Sequence, residues 1–156
     1  MHKVTVGALI AAQDFGKILE KNCFYVDKTS FIKEWWENED TVTLLTRPRR
    51  FGKTLMMNML NAAFKSNLYL ERGIMTGITR VSKESVFSDL NHLTVVTTTS
   101  RMYETCFGFT EEEVAAALEE FSMQEQLSDV KRWYDGFQFG RSDSIYNPWS
   151  ITNYLK

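Results

Sequence analysis

The chain has 156 residues, of which 44% are apolar and 13% aromatic, with 18 Lys and Arg against 20 Asp and Glu. That is enough apolar surface for one domain with a real core, and it excludes a disordered chain. A net charge of −2 with both signs interspersed gives no basic footprint for a nucleic-acid backbone, and no apolar run approaches the ~20 residues that span a membrane.

From the start, Met1-His2-Lys3-Val4 begins no signal peptide, because Val6 to Ala12 is short and runs into Gln13-Asp14. Cys23 and Cys106 lack metal-ligand spacing and suggest a reducing compartment, so a cytoplasmic protein is expected. A short helix is expected over Asp14 to Lys21, buried through Phe15, Ile18 and Leu19. A second spans Thr29 to Asn38, with Phe31, Ile32, Trp35 and Trp36 on one side and Asp27 as a cap ahead of Thr29. The apolar run Val42-Thr43-Leu44-Leu45-Thr46 reads as a strand. It is followed by Arg47-Pro48-Arg49-Arg50-Phe51-Gly52-Lys53-Thr54, then by a helical pattern of Leu55, Met56, Met59, Leu60, Ala63 and Phe64. Gly73 to Thr79 and the β-branched run Thr94 to Thr99 read as further strands. Thr110-x-x-Glu113 is a capping box, whose helix carries the stripe Val114, Leu118 and Phe121. Glu111, Glu112 and Glu113 sit in its first turn, where negative charge is favoured, and read as structural. Leu127, Val130 and Trp133 or Tyr134 mark another helix, ending in an Asp135-Gly136 turn. Pro148 opens a last helix through Ile151, Tyr154 and Leu155. His2 and His92 are isolated and make no metal or acid–base constellation.

Strand, tight loop ending in Gly-Lys-Thr, then helix is the setting a phosphate-binding loop requires. Successive backbone N–H groups wrap an anion, and the helix N-terminus adds a favourable dipole. Lys53 would meet the terminal phosphates as a point charge, and the Thr54 hydroxyl would ligate Mg²⁺. Arg49 and Arg50 either add charge to the phosphates or sit in a solvated turn. Arg47 stands where the usual pattern has its first Gly, whereas Gly52 keeps the second. Arg47, Arg49, Arg50 and Lys53 together read as a small anion site. The plain alternative is a basic turn opening an ordinary helix.

Six blocks, in order, carry a resemblance. They are Tyr25 to Thr29, Arg47 to Thr54, Thr76 to Ser85, Phe107 to Val114, Trp133 to Phe137 and Tyr146 to Ser150. The chain resembles the bacterial AAA-ATPase-like family, whose members often carry a C-terminal PD-(D/E)XK nuclease-like domain. The resemblance implies ATP or ADP with Mg²⁺ as ligands and a nucleotide site at Arg49, Arg50, Phe51, Gly52, Lys53 and Thr54. It places Thr76 at a sensor-like position; Arg80 beyond it reaches a γ-phosphate or forms a surface ion pair. The family's acidic strand between the loop and the Thr76 block has no counterpart here, and the nuclease-like domain is not expected.

These readings combine into an α/β fold. The expectation is a reduced P-loop NTPase-like parallel sheet of about three strands, order 5-1-4, flanked by helices, with a helical C-terminal part. Residues 1–105 form the core and 106–156 the helical portion of one domain. The strand at Gly73 to Thr79 becomes an exposed edge open to self-association. The expected function is nucleotide binding with weak or absent hydrolysis; the alternative is an interaction module that keeps the fold and binds none.

Overall fold

A computed structural model of the chain describes residues 15–21, 23–64, 72–78 and 93–156. Helix α1 spans Phe15–Glu20 and α2 Ser30–Glu37; strand β1 spans Val42–Thr46 and leads through the loop into α3, Lys53–Ala63. Strands β2, Gly73–Gly77, and β3, Leu93–Val96, follow. Next come α4, Glu111–Glu120, a 3₁₀ turn at Gln124–Gln126, and α5, Leu127–Tyr134. A hairpin of β4, Phe137–Phe139, and β5, Ser142–Ile145, precedes α6, Pro148–Tyr154.

The fold is α/β, with a three-stranded parallel sheet flanked by helices. β1 is central and runs parallel to both neighbours, in the order β2-β1-β3. Val42 lies opposite Gly73 on one side and Leu93 on the other, and Thr46 lies opposite Gly77. This is the order expected from the sequence. Burial follows position: Thr43 to Thr46 of β1 are buried, whereas every residue of β2 is half-buried. The threonines of β1 remain satisfied inside, because Thr43 Oγ1 accepts from Trp35 Nε1 at 3.1 Å and Thr46 Oγ1 donates to Val96 O at 3.4 Å.

Two larger cores flank this arrangement. One packs Phe31 and Trp35 of α2 and Met56 and Met59 of α3 onto Leu45 and Val96 of the sheet. The other joins Phe24 and Phe109 to Val114 and Leu118 of α4, Val130 of α5 and Ile151 of α6. The capping box forms as expected: Thr110 Oγ1 accepts from Glu113 N at 3.3 Å, and Glu113 Oε2 accepts from Thr110 N at 2.9 Å. Pro148 is the first residue of α6, and the Asn147 side chain caps it by accepting from Trp149 N at 3.0 Å.

Several expectations are corrected. Leu19 is 59% exposed, because a helix of six residues turns only Phe15 and Ile18 inward. Trp36 is 37% exposed; Phe64 stacks on it at 5.1 Å. Of the pair at the end of α5, Tyr134 packs inward against Tyr154 and Trp133 is 72% exposed. The run Thr97 to Thr99 is a turn and not strand: Ser100 Oγ accepts from Thr97 N at 3.0 Å, and Ser100 N donates to Thr97 O. Hydroxyl side chains offer the backbone local partners that compete with a ladder. The β4–β5 hairpin inside the helical C-terminal part was not foreseen.

Candidate functional site

The site lies at the C-terminal end of the central strand, the usual ligand position of open α/β sheets. The backbone alternates in hand there: Arg50 has φ 67° and Gly52 φ 77°, and Phe51 between them is not in the positive region. Such alternation turns consecutive N–H groups toward one concavity. Gly52 is the N-cap of α3 and has no side chain to cap with, so no side-chain cap satisfies the first-turn N–H donors of the helix. Nothing lies within 4 Å of where a Cβ at Gly52 would be. Gly52, Thr54, Arg49 and Arg50 are all exposed.

Lys53 is half-buried at the mouth, and its Nζ donates to the loop's own carbonyls, Arg47 O at 2.8 Å and Pro48 O at 2.6 Å. Burial, reinforced by the charges of Arg47 and Arg49, holds its pKa below the usual lysine range.

Arg47 does not join the anion site, contrary to expectation. Its side chain is fully buried. Nη1 donates to Thr46 O at 3.0 Å and Thr97 O at 2.8 Å, and Nη2 donates to Tyr103 O at 3.1 Å. The guanidinium lies over the rings of Phe139 and Phe107, 4.9 and 5.5 Å from their centroids. Burial pushes its pKa down to about 10. Arg47 therefore ties the start of the loop to the chain after β3.

Phe51 contributes by anchoring. Its ring is 1% exposed and packs edge-on to Phe137 at 4.9 Å and against Phe139 at 5.3 Å, closing a small cluster with Ile145. Only its backbone is left for a ligand. Gly108 makes this fit possible: a Cβ there would meet Ile145 Cγ2 at 2.5 Å and the Phe51 ring at 3.1 Å. Two contacts come from α6 and its cap. Asn147 Nδ2 donates to Arg49 O at 3.3 Å, and the Arg50 guanidinium stacks on Trp149 at 3.9 Å. Sequence reasoning missed Phe139, Asn147 and Trp149. The signal available was Phe137-Gln138-Phe139 followed by Gly140, apolar alternation into a tight turn.

Thr76 sits in β2 opposite Leu45, one residue from where Gly77 O accepts from Arg47 N at 3.1 Å. It thus stands beside the loop, at the end of the neighbouring strand. Arg80 and Glu84 lie outside the described residues.

Beside the loop, an apolar cleft of about 80 Å³ is lined by Gly52, Leu55, Met59, Tyr25, Val26 and Phe109, with the Tyr25 hydroxyl donating to Met59 Sδ at 3.5 Å. Lys28 also lines it, clasped by Glu113 at 2.6 Å and donating to Thr105 O at 2.7 Å. Burial pushes the Tyr25 hydroxyl up to about 12 and the Cys106 thiol up to about 12.

The carboxylates are engaged elsewhere. Asp27 Oδ1 accepts from Thr29 N at 2.8 Å in a turn ahead of α2, whose N-cap is Thr29 without a side-chain cap bond, and the Thr29 N–H holds the Asp27 pKa below the usual range. Asp135 Oδ2 accepts from Ser144 Oγ at 3.0 Å. Among the described residues no three His, Cys, Asp or Glu side chains cluster to hold a metal ion. The Thr54 hydroxyl alone does not make a protein-held Mg²⁺ site, since such sites draw on one or two carboxylates. Among the described residues the donor set fits an anion and does not fit the cation.

Residues 9–68 match the AAA-ATPase-like family, described as a predicted AAA-ATPase. Over 109 residues the chain is 28% identical to an uncharacterized protein in the vnfD 5′ region of Azotobacter chroococcum mcd 1, covering 69% of this chain and 21% of that protein. No solved structure matches the chain.

Proposed function

We propose, from the membership of residues 9–68 in the AAA-ATPase-like family, that the chain binds a purine nucleotide, ATP or ADP, with its phosphates on the loop Arg49 to Thr54. The observation that carries this is the loop itself. It has alternating backbone hand at Arg50 and Gly52, an N-cap without a side chain and Lys53 at its mouth, all at the end of the central strand. Anion capture here combines oriented N–H groups, a helix dipole and a lysine. The apolar cleft lined by Leu55, Met59 and Phe109 is suited to an edge of the base. Thr76 faces the terminal phosphate from the neighbouring strand.

Hydrolysis is weak or absent in this reading. In-line attack on a γ-phosphate needs a group that orients water, and Asp27 and Asp135 are committed to Thr29 and Ser144. Turnover stays below about 10⁻² s⁻¹, against 1–10³ s⁻¹ for typical enzymes.

Calorimetric titration with ATP and ADP tests the site. Lys53→Ala removes a charge-assisted contact worth roughly 1.5–3 kcal/mol, so affinity falls about 10- to 150-fold. Equal affinity in the wild type and Lys53→Ala removes the loop from the binding site.

A further inference from the structure

The loop carries four cations and no carboxylate of its own. Among the described residues the ion pairs are Lys28–Glu113, Lys33–Glu37 and Lys131–Glu111. None includes Arg47, Arg49, Arg50 or Lys53. Arg47 is the extreme case: a fully buried guanidinium held by three carbonyls and two ring faces, with Nε left unpartnered. Carbonyls and π faces orient a cation without cancelling its charge. Arg50 likewise faces a ring, and Lys53 two carbonyls. The acids of the surrounding segments hold other groups: Asp27 holds Thr29 N, Glu104 holds Arg141 N, Glu113 holds Lys28 and Asp135 holds Ser144.

A site of this kind presents fixed positive charge to whatever enters. A divalent cation arriving with its nucleotide meets arginines and one threonine hydroxyl, with no acid left free for it among the described residues of the loop and its contacts. We propose that the preferred ligand of the loop is a metal-free polyphosphate, a nucleoside triphosphate with its full negative charge, and that Arg49, Arg50 and Lys53 supply the neutralisation a divalent cation would otherwise bring. The inference rests on the loop being the nucleotide site and adds which ionic form it takes. Removing the cation raises the ligand's negative charge, and each extra charge gains from every fixed cation of the loop. Arg47 strengthens that preference because its charge is buried and poorly screened by solvent ions.

The test is calorimetric titration of the whole chain with ATP at constant ionic strength, once in EDTA and once in excess Mg²⁺. Binding is expected to be tighter in EDTA by about tenfold or more. Inorganic tripolyphosphate, which has no base, is expected to keep the same order. The double variant Arg49→Gln/Arg50→Gln alters two exposed side chains and is expected to erase most of the difference. Tighter binding in Mg²⁺, or a double variant that keeps the full EDTA preference, overturns this inference and leaves nucleotide binding in place. Absence of binding in both conditions overturns both.

Discussion

The loop Arg47 to Lys53 and the strand β2 both adjoin β1, yet they are held in different ways. The loop is fixed from within by Arg47 on Thr46, Thr97 and Tyr103, from above by Phe51 against Phe137 and Phe139, and from the side by Asn147 and Trp149. β2 pairs with β1 alone among the described strands, and all five of its residues are half-buried. Packing is concentrated where an anion would have to be met by donors already in place, since preorganised dipoles need not reorganise when charge arrives. The C-terminal hairpin and α6 thereby become part of the loop's support.

The largest test of that contrast is a pair of truncations. Phe51→Ala empties the cluster with Phe139 and Ile145 and is expected to lower unfolding free energy by roughly 3–5 kcal/mol. Ile74→Ala, on half-buried β2, is expected to lower it by less than about 2 kcal/mol. Urea denaturation of both variants decides it; equal losses break the comparison.

An alkaline titration sharpens it, because the perturbed groups lie in the packed body and none lies in β2. Burial first of all raises the Tyr25 and Tyr146 hydroxyls from 10.0 to about 12 and the Cys106 thiol from 9.0 to about 12. These groups stay neutral in the fold while the unfolded chain ionises. Their stabilisation is complete below pH 9 and is lost as pH climbs toward 12. Arg47 acts in the opposite sense: burial lowers its folded pKa from the usual arginine range to about 10, so the fold gains as pH rises above 10. Tyr103, also raised by burial, adds a fourth loss and Lys53, lowered by burial, a second gain; four losses against two gains predict a denaturation midpoint that falls between pH 9 and pH 11. A midpoint that rises over that range would show the cations Arg47 and Lys53 dominating.

The smallest effect concerns the edge. A strand with an open side pairs readily with another chain, and a lysine on it discourages that pairing. Met75→Lys is expected to weaken concentration-dependent self-association measured by sedimentation, with stability changed by less than Phe51→Ala changes it. Self-association unaltered by Met75→Lys would remove β2 from the contact.

Much of this molecule was legible without coordinates. The strand–loop–helix at Val42 to Phe64, the capping box at Thr110 and Glu113, the proline opening α6 and the central place of β1 were all read from the chain. These features rest on local signals: hydrophobic period, a hydroxyl three residues before a glutamate, a ring that fixes φ. What the sequence by itself left open was which groups face inward and what they meet. Arg47 looks like its neighbours Arg49 and Arg50, and only the carbonyls of Thr97 and Tyr103, some fifty residues on in sequence, make its burial possible. Trp133 and Tyr134 are equally apolar in pattern, and the position of Tyr154 decided between them. The hairpin behind Phe51 and the stack of Trp149 on Arg50 likewise depend on residues about ninety to a hundred positions away meeting the loop. Local propensity sets the elements; partners distant in sequence set the fate of each buried charge and ring, because a group leaves water only where the rest of the chain supplies what water provided.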